Sequence, residues 1–433
     1  MNTKIDWQKY KNKNTIFVLC LFVVLVIIGI SAINKYKPST DINYVMNLPE
    51  TTAIESHVLF AGDVYWGRRM NDWSQQSPLK TAYPFSKLSS LERDKYDAWV
   101  ANLECPAVSS IKQDIHFTPK LTDFNCDTDY LSEASKWFDV FSLANNHTSN
   151  QSKQLGIAAT RSALDQNGIQ YFGNYTPHIS QDICEVISLP ARAHVDDVQK
   201  QVMLPVAMCG YTGVHYTITP SEVQEIEAYS KIMTVIVMPH MGSEYTATID
   251  SKRQALYRSM IDSGADMVLG NHPHWVQPTE SYKGKLIAYS MGNFIFDQDF
   301  SEEVTRSAAF DATLTVEKSS ISETDLNAWI KLGATCSTYK DTCLKIAQEQ
   351  KLPKIPISID IGIVGIDTSG KVTHRADQKL TQKIRERLNW ATTSSNLSGN
   401  KQRINLKESK KLPLIRQSPY QTPLDWKVLM QKS

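Results

Sequence analysis

The sequence predicts an α/β layered fold behind one N-terminal transmembrane helix. Three observations carry that reading. Between residues 55 and 300, short Val- and Ile-rich runs alternate with helical stretches. Most of those runs end in turn or polar residues. Ahead of them lies Thr15–Ile33, TIFVLCLFVVLVIIGISAI, 19 residues without a charge.

The N-terminal segment comes first. At ~1.5 Å per residue, 19 residues make a helix about 28 Å long, close to the ~30 Å hydrocarbon core of a bilayer. The segment has no polar face, which argues against a buried core helix. A cleaved signal peptide needs a shorter apolar run and a small-x-small site. Here a cut after Ala32 would put Ile30 three residues back, so an uncleaved single-pass anchor is the better fit. Lys4, Lys9, Lys11 and Lys13 precede the span against one Asp6, and Lys35 and Lys37 follow it. The positive-inside rule then keeps residues 1–14 in the cytoplasm and places the rest outside the cytoplasmic membrane. Residues 34–54 are polar and aperiodic and read as a tether.

The main domain is expected over 55–380. Its strand candidates are Ser56–Ala61, Ala98–Asn102, Val140–Leu143, Ile183–Leu189, Val202–Met208, Thr234–Met238, Met267–Leu269 and Leu286–Tyr289. Ser152–Gln166, Ser221–Tyr229 and Ser251–Ile261 read as helices. Ala308–Val316 and Ile355–Val364 alternate like further strands, with an insertion around 320–350 between them. The Lys-, Ser- and Asn-rich stretch 381–433 reads as a loosely ordered tail, with Trp390 and Trp426 able to dock.

Composition narrows the function. Lys and Arg number 46 against 45 Asp and Glu, a net charge of +1, which excludes a nucleic-acid binder relying on bulk positive charge. Seven cysteines in 433 residues are too sparse for a disulfide scaffold. Cys336 and Cys343 close a short loop that can be a disulfide or two free thiols. Cys105, Cys126, Cys184 and Cys209 cannot be paired from the sequence.

Metal-ligand residue types gather at the ends of the strand candidates. Asp63 ends the first in LFAGD, Glu104 the second in NLE, and Asn146 and His147 the third in LANNH. His240 ends a later one in VMPHMGSEY, and His272 and His274 follow another in GNHPHW. In open α/β sheets, ligands bind outside the carboxyl ends of strands. Imidazole suits Zn, Fe or Mn, and carboxylate and amide oxygens suit harder divalent ions. An H-x-H pair can serve two adjacent ions, and Glu104 can bridge them. Two such ions clamp the oxygens of a phosphoryl displacement. His147 is then placed to protonate a leaving oxygen. Arg68 and Arg69, just past Asp63, can grip an anionic substrate or form an ordinary surface turn.

The ordered set GD, NLE, LANNH, HMGSEY, GNHPHWVQPTE and YSMGNFIFD resembles the CapA-type poly-γ-glutamate capsule biosynthesis proteins, over about residues 57–298. The resemblance implies a calcineurin-like metallophosphoesterase fold, an αββα sandwich, with two divalent ions of Mn, Fe, Zn or Mg. It implies Asp63 and His274 on the first ion, Asn146, His240 and His272 on the second, and Glu104 between them. It implies His147 as general acid and Asn293 in a supporting, substrate-side role. It implies a bacterial envelope protein that acts on poly-γ-glutamate or a phosphorylated intermediate, beside the membrane subunits of a capsule synthase. Two positions depart from the pattern: Tyr65 stands where a metal His is common, and Asn150 where an Asp is common. The alternative they raise is a non-catalytic assembly or polymer-binding factor with a structural or vestigial metal site.

Overall fold

The computed structural model describes residues 51–110, 123–195, 198–317, 320–336 and 340–399. The segment 15–33 and the tether up to residue 50 lie outside them, as do 400–433 with Trp426. Among the described residues, no helix is long and apolar enough to cross a membrane.

The first strand, β1 (Thr51–Val64), organises the sheet. Its first half alternates in burial, while from Val58 on it is covered on both faces. That change follows from its neighbours. One edge of β1 pairs along Ala53–Phe60 with antiparallel β12 (Arg306–Glu317). The other edge pairs first with antiparallel β5 (Cys184–Val195) at Thr51–Glu55. It then pairs with parallel β2 (Ala98–Leu103) at Val58–Val64. One edge cannot hold two strands in one plane, so the sheet divides there into two arms.

The first arm continues from β2 in parallel through β3 (Val140–Ser142) and β4 (Gln170–Phe172). In the second, β5 forms a long antiparallel hairpin with β6 (Val198–Thr212). Parallel β7 (Val235–His240) and β8 (Met267–Leu269) follow it. The antiparallel pair β9 (Thr279–Tyr282) and β10 (Lys285–Ala288) closes that edge. Beyond β12 lie β13 (Ser358–Asp367) and the two-residue β14 (His374–Arg375). The arms are tied together where the Gln170 amide exchanges two hydrogen bonds with the backbone of Ser188, at 2.9 and 3.0 Å. The result is a mixed α/β, sheet-rich fold consistent with an α/β sandwich.

Two of the three expected helices have a side-chain cap that sets where they start. The Asp250 carboxylate accepts from Arg253 N at 2.8 Å and caps Ser251–Asp262. Glu222 accepts from Thr219 N at 2.6 Å, and Pro220 opens Pro220–Ser230. The third runs over Gln154–Gln166. The core packs Trp66, Trp99, Phe138, Phe141 and Phe294, all at most 1% exposed. Each such side chain contributes about 1.5–3 kcal/mol relative to exposure.

The structure corrects several expectations. The tether is shorter, because strand pairing with β5 already begins at Thr51. The described part of the tail, 378–399, is not loose: Gln378–Arg387 and Trp390–Ser395 are helical. Trp390 is 3% exposed and packs on Phe310 at 5.8 Å. The insertion around 320–350 forms two helices, Glu323–Cys336 and Lys340–Glu349. The side chains of Cys336 and Cys343 lie outside the described ones. The pairing that spacing could not supply is Cys105–Cys126 and Cys184–Cys209.

Candidate metal centre

The carboxyl ends of both arms meet at one place. Asp63 closes β1 and its N–H donates to Gly292 O at 3.1 Å. Short β11 (Asn293–Ile295) extends from that contact in parallel with β1. Gly62 permits the approach: a Cβ there would lie 1.9 Å from Gly292 O. The GD and MGN motifs, 230 residues apart, are two sides of one backbone contact.

Around it the polar side chains converge. Glu104, His240 and His272 form one group able to hold a metal ion, and Asp63, Glu104 and His274 form another. Within each group the ligand atoms lie within 4.8 Å of one another, and Glu104 belongs to both. Asn146 joins them through its Oδ1, 2.9 Å from His240 Nε2. His272 and His274 have φ of +96° and +58°. Left-handed backbone at non-glycine residues costs of order 1 kcal/mol or more each and persists where the surroundings impose it.

Electrostatics show what the site lacks. Both Glu104 oxygens and His272 Nδ1 are buried without a hydrogen-bond partner. A buried carboxylate with no donor is costly unless positive charge is supplied. Burial pushes the Glu104 carboxyl well above its usual range, and the exposed carboxylate of Glu244 pushes it further. Burial, then Glu104, raises Asp63 to about 8. Burial lowers His240 to about 4, His274 to about 3, and His272 well below its ordinary value. Neutral imidazoles around two buried carboxyls, one of them without a donor, are the donor set of a divalent-cation site, so these residues fit such an ion.

Two asparagines not singled out in the sequence organise this set. Asn145 Oδ1 accepts from His147 N and Thr148 N, at 3.1 and 2.9 Å, which orients its amide. Asn145 Nδ2 then donates to Asn102 Oδ1 at 3.1 Å. Asn102 Nδ2 is thereby turned to Asp63 Oδ1 at 2.8 Å and His240 Nδ1 at 3.2 Å. In the metal-free protein the His240 proton therefore lies on Nε2, towards Asn146, and an ion held by His240 would have to displace it. The signal was present in the first residues of NLE and NNH, which carry no charge and so attract no attention as ligands.

His147 stands at the opening, with Nε2 3.9 Å from Glu104 Oε1 and its side chain 17% exposed. Its ring stacks on Phe124 at 3.6 Å. Asn150 Oδ1 accepts from Phe124 N at 2.9 Å and so must also accept from His147 Nδ1, at 2.7 Å. The ring is thus protonated on Nδ1 and bare on Nε2, and burial lowers it to about 3. The Cys105–Cys126 bridge joins the residue after Glu104 to the segment carrying Phe124.

The remaining candidates are placed differently. Arg68 is forked onto Asp297, at 3.0 and 2.6 Å, and Arg69 onto Asp299, at 2.6 and 2.7 Å. Both guanidinium forks are committed to aspartates. Asn293 is fully buried and its Oδ1 meets His274 Nδ1 at 2.8 Å, so it touches a candidate ligand, not the opening. Tyr65 is fully buried and stacks on Phe124 at 4.3 Å, within the aromatic packing.

A mixed α/β protein with a buried, carboxylate-centred histidine site is thus the class that fold and site define. The profile of the bacterial capsule synthesis protein PGA_cap family matches residues 57–298, and this chain belongs to that family. It is similar to "Capsule biosynthesis protein CapA" of Bacillus anthracis, 23% identical over 304 residues, 68% of this chain and 72% of that protein. It is also similar to "PGA biosynthesis protein CapA" of Bacillus subtilis (strain 168), 42% identical over 83 residues. That match spans 19% of this chain and about a fifth, 21%, of the relative's length.

Proposed function

We propose that this chain serves poly-γ-glutamate capsule assembly as a divalent-metal phosphoesterase held outside the cytoplasmic membrane by residues 15–33. The observation that carries the catalytic reading is Glu104, buried, without a hydrogen-bond donor, and common to both ligand groups. The two disulfides suit an oxidising compartment. The apolar N-terminal run with its basic flank supports the anchor.

Asp63, Glu104, Asn146, His240, His272 and His274 would hold the ions. Bound there, divalent ions supply Lewis-acid activation of a phosphoester and of water. The protein's own residues divide the remaining work. The forks of Arg68 and Arg69 are taken up by aspartates, so the charge that meets an anionic group at the ligand cluster would come chiefly from the bound ions. Phe124 covers one face of His147 and limits water around it. His147, bare at Nε2, accepts a proton first and can return it to a leaving oxygen only afterwards. Full-length protein with Mn²⁺ is expected to hydrolyse bis-p-nitrophenyl phosphate. Glu104→Ala and His147→Ala should each lower the rate by about 100-fold or more, within the range for acid–base and electrostatic groups.

The second reading is a non-catalytic assembly factor, favoured by the neutral amide at Asn150. It separates from the first by one substitution. Asn150→Asp would put a carboxylate against His147 Nδ1, which favours the imidazolium and raises the His147 pKa from about 3. The phosphoesterase reading expects a gain of about tenfold in turnover below pH 7, within the acid–base range. Metal-loaded protein without phosphodiester turnover, in both the parent and this variant, would leave the assembly role standing alone.

A further inference from the structure

His274 is held by more than its backbone. Asn293 donates both Nδ2 hydrogens, to Gln298 Oε1 at 3.0 Å and Val304 O at 3.1 Å. That orients its amide with Oδ1 towards His274 Nδ1, 2.8 Å away, so Nδ1 carries the proton and Nε2 the lone pair. Gln298, its Oε1 engaged by Asn293, turns Nε2 to the hydroxyl of Tyr245 at 2.9 Å. The Tyr245 ring then lies back over His274, with centroids 5.7 Å apart and planes 25° from parallel. Four side chains thus close on themselves, from a buried ligand to a residue that is 37% exposed.

The fold maintains Tyr245 there against its own preference. Its φ is +54°, uncommon for a bulky residue. Its N–H donates to the carbonyl of Pro273, between the two histidines, at 3.0 Å. Behind the loop, Gln277 Nε2 donates to Thr246 O at 2.8 Å. Arg253 Nη1 donates to Met241 O at 3.0 Å. An exposed ring held in left-handed backbone contributes little to the core, so its placement has to be explained by what it contacts.

We propose that Tyr245 is a positioning residue for the ligand His274. It is the outer end of a circuit through Gln298 and Asn293 that fixes the ring plane and leaves Nε2 as its one lone pair. The proposal rests on the metal reading above for its consequence, but not for its geometry. Partners that orient a metal-binding histidine typically set about 10–100-fold in metal affinity.

The test uses full-length protein and two readouts. By titration calorimetry with Mn²⁺, Tyr245→Phe, which keeps the stack and removes most of the hydroxyl contact, should bind about tenfold more weakly. Gln298→Leu should lose as much, and the double variant no more than either, because one circuit is broken in each case. The thermal midpoint of the metal-free variants should stay near that of the parent, as a merely structural role would not allow. Equal Mn²⁺ affinity in parent and variants overturns the proposal. If the parent binds no Mn²⁺, the metal reading falls, and the geometry is then judged alone by ¹⁵N imidazole spectra of the metal-free protein. Those should show His274 as the Nδ1–H tautomer in the parent and a mixture in Gln298→Leu. An unchanged tautomer overturns the positioning role.

Discussion

Glu104→Gln is expected to abolish metal binding at both groups at once, because one carboxylate serves both. Outer partners of a ligand typically set about 10–100-fold in affinity, so loss of a shared ligand should cost more than about 100-fold. Metal content of the purified protein and calorimetry with Mn²⁺ read this directly. The same substitution should raise the stability of the metal-free protein at pH 8, since it removes a carboxyl whose ionised form burial strongly disfavours.

The pH dependence follows with a definite sign. Asp63 is raised from 3.8 to about 8 and Glu104 is raised well above its usual range, both mainly by burial. Stability from a raised carboxyl is fully present below its unfolded pKa and is lost as pH rises through the folded value. Below about pH 6.5 the lowered His147, His240, His272 and His274 act with the opposite sign, so the metal-free protein should lose stability between about pH 6.5 and pH 8. Metal binding has to displace those protons, so it should tighten over the same window and release protons to the buffer. A metal-free protein more stable at pH 8 than at about pH 6.5 would contradict the picture, as would a Glu104→Gln variant that still held two ions.

Gly62→Ala is expected to destabilise the protein by at least about 3 kcal/mol, at or above the upper end for ordinary overpacking. The added methyl would lie 1.9 Å from Gly292 O and 3.0 Å from Gly292 C, both backbone atoms with no side chain to swing aside. Gly292, at φ +79°, has little freedom to retreat without losing its own turn. Relief comes only by parting β1 from the segment that leads into β11, which breaks the bond from Asp63 N to Gly292 O. Asp63 and Asn293, paired in register there, move with it. Urea denaturation should show a lower midpoint, and metal content should fall alongside. A variant within about 1 kcal/mol of the parent would mean the contact is softer than its geometry implies.

How much of this was legible beforehand differs by element. β8 appears over Met267–Leu269 as read, because a short apolar run between turn residues has one reading in an α/β chain. β5 and β6 run well past their apolar centres, to Val195 and from Val198, because hairpin pairing carries residues that no periodicity marks. The helices after residue 377 were missed for a related reason. Gln378–Arg387 buries chiefly Ile384, too thin an apolar stripe to register in a window. At the site, the charged and imidazole residues stood out by type, while Asn102 and Asn145 did not. The gripping role expected of Arg68 and Arg69 depended on Asp297 and Asp299, about 230 positions away.

Local chemistry therefore determined which residue types end which strands, and that is enough to specify a hard-donor, imidazole-rich site and a family. It could not determine which hydrogen bonds those residues make, because each partner comes from another strand. Proton position on His147, His240 and His274, the commitment of both arginines and the isolation of Glu104 are properties of contacts. They came into being only when the two arms of the sheet closed and removed water from the carboxyl ends of their strands.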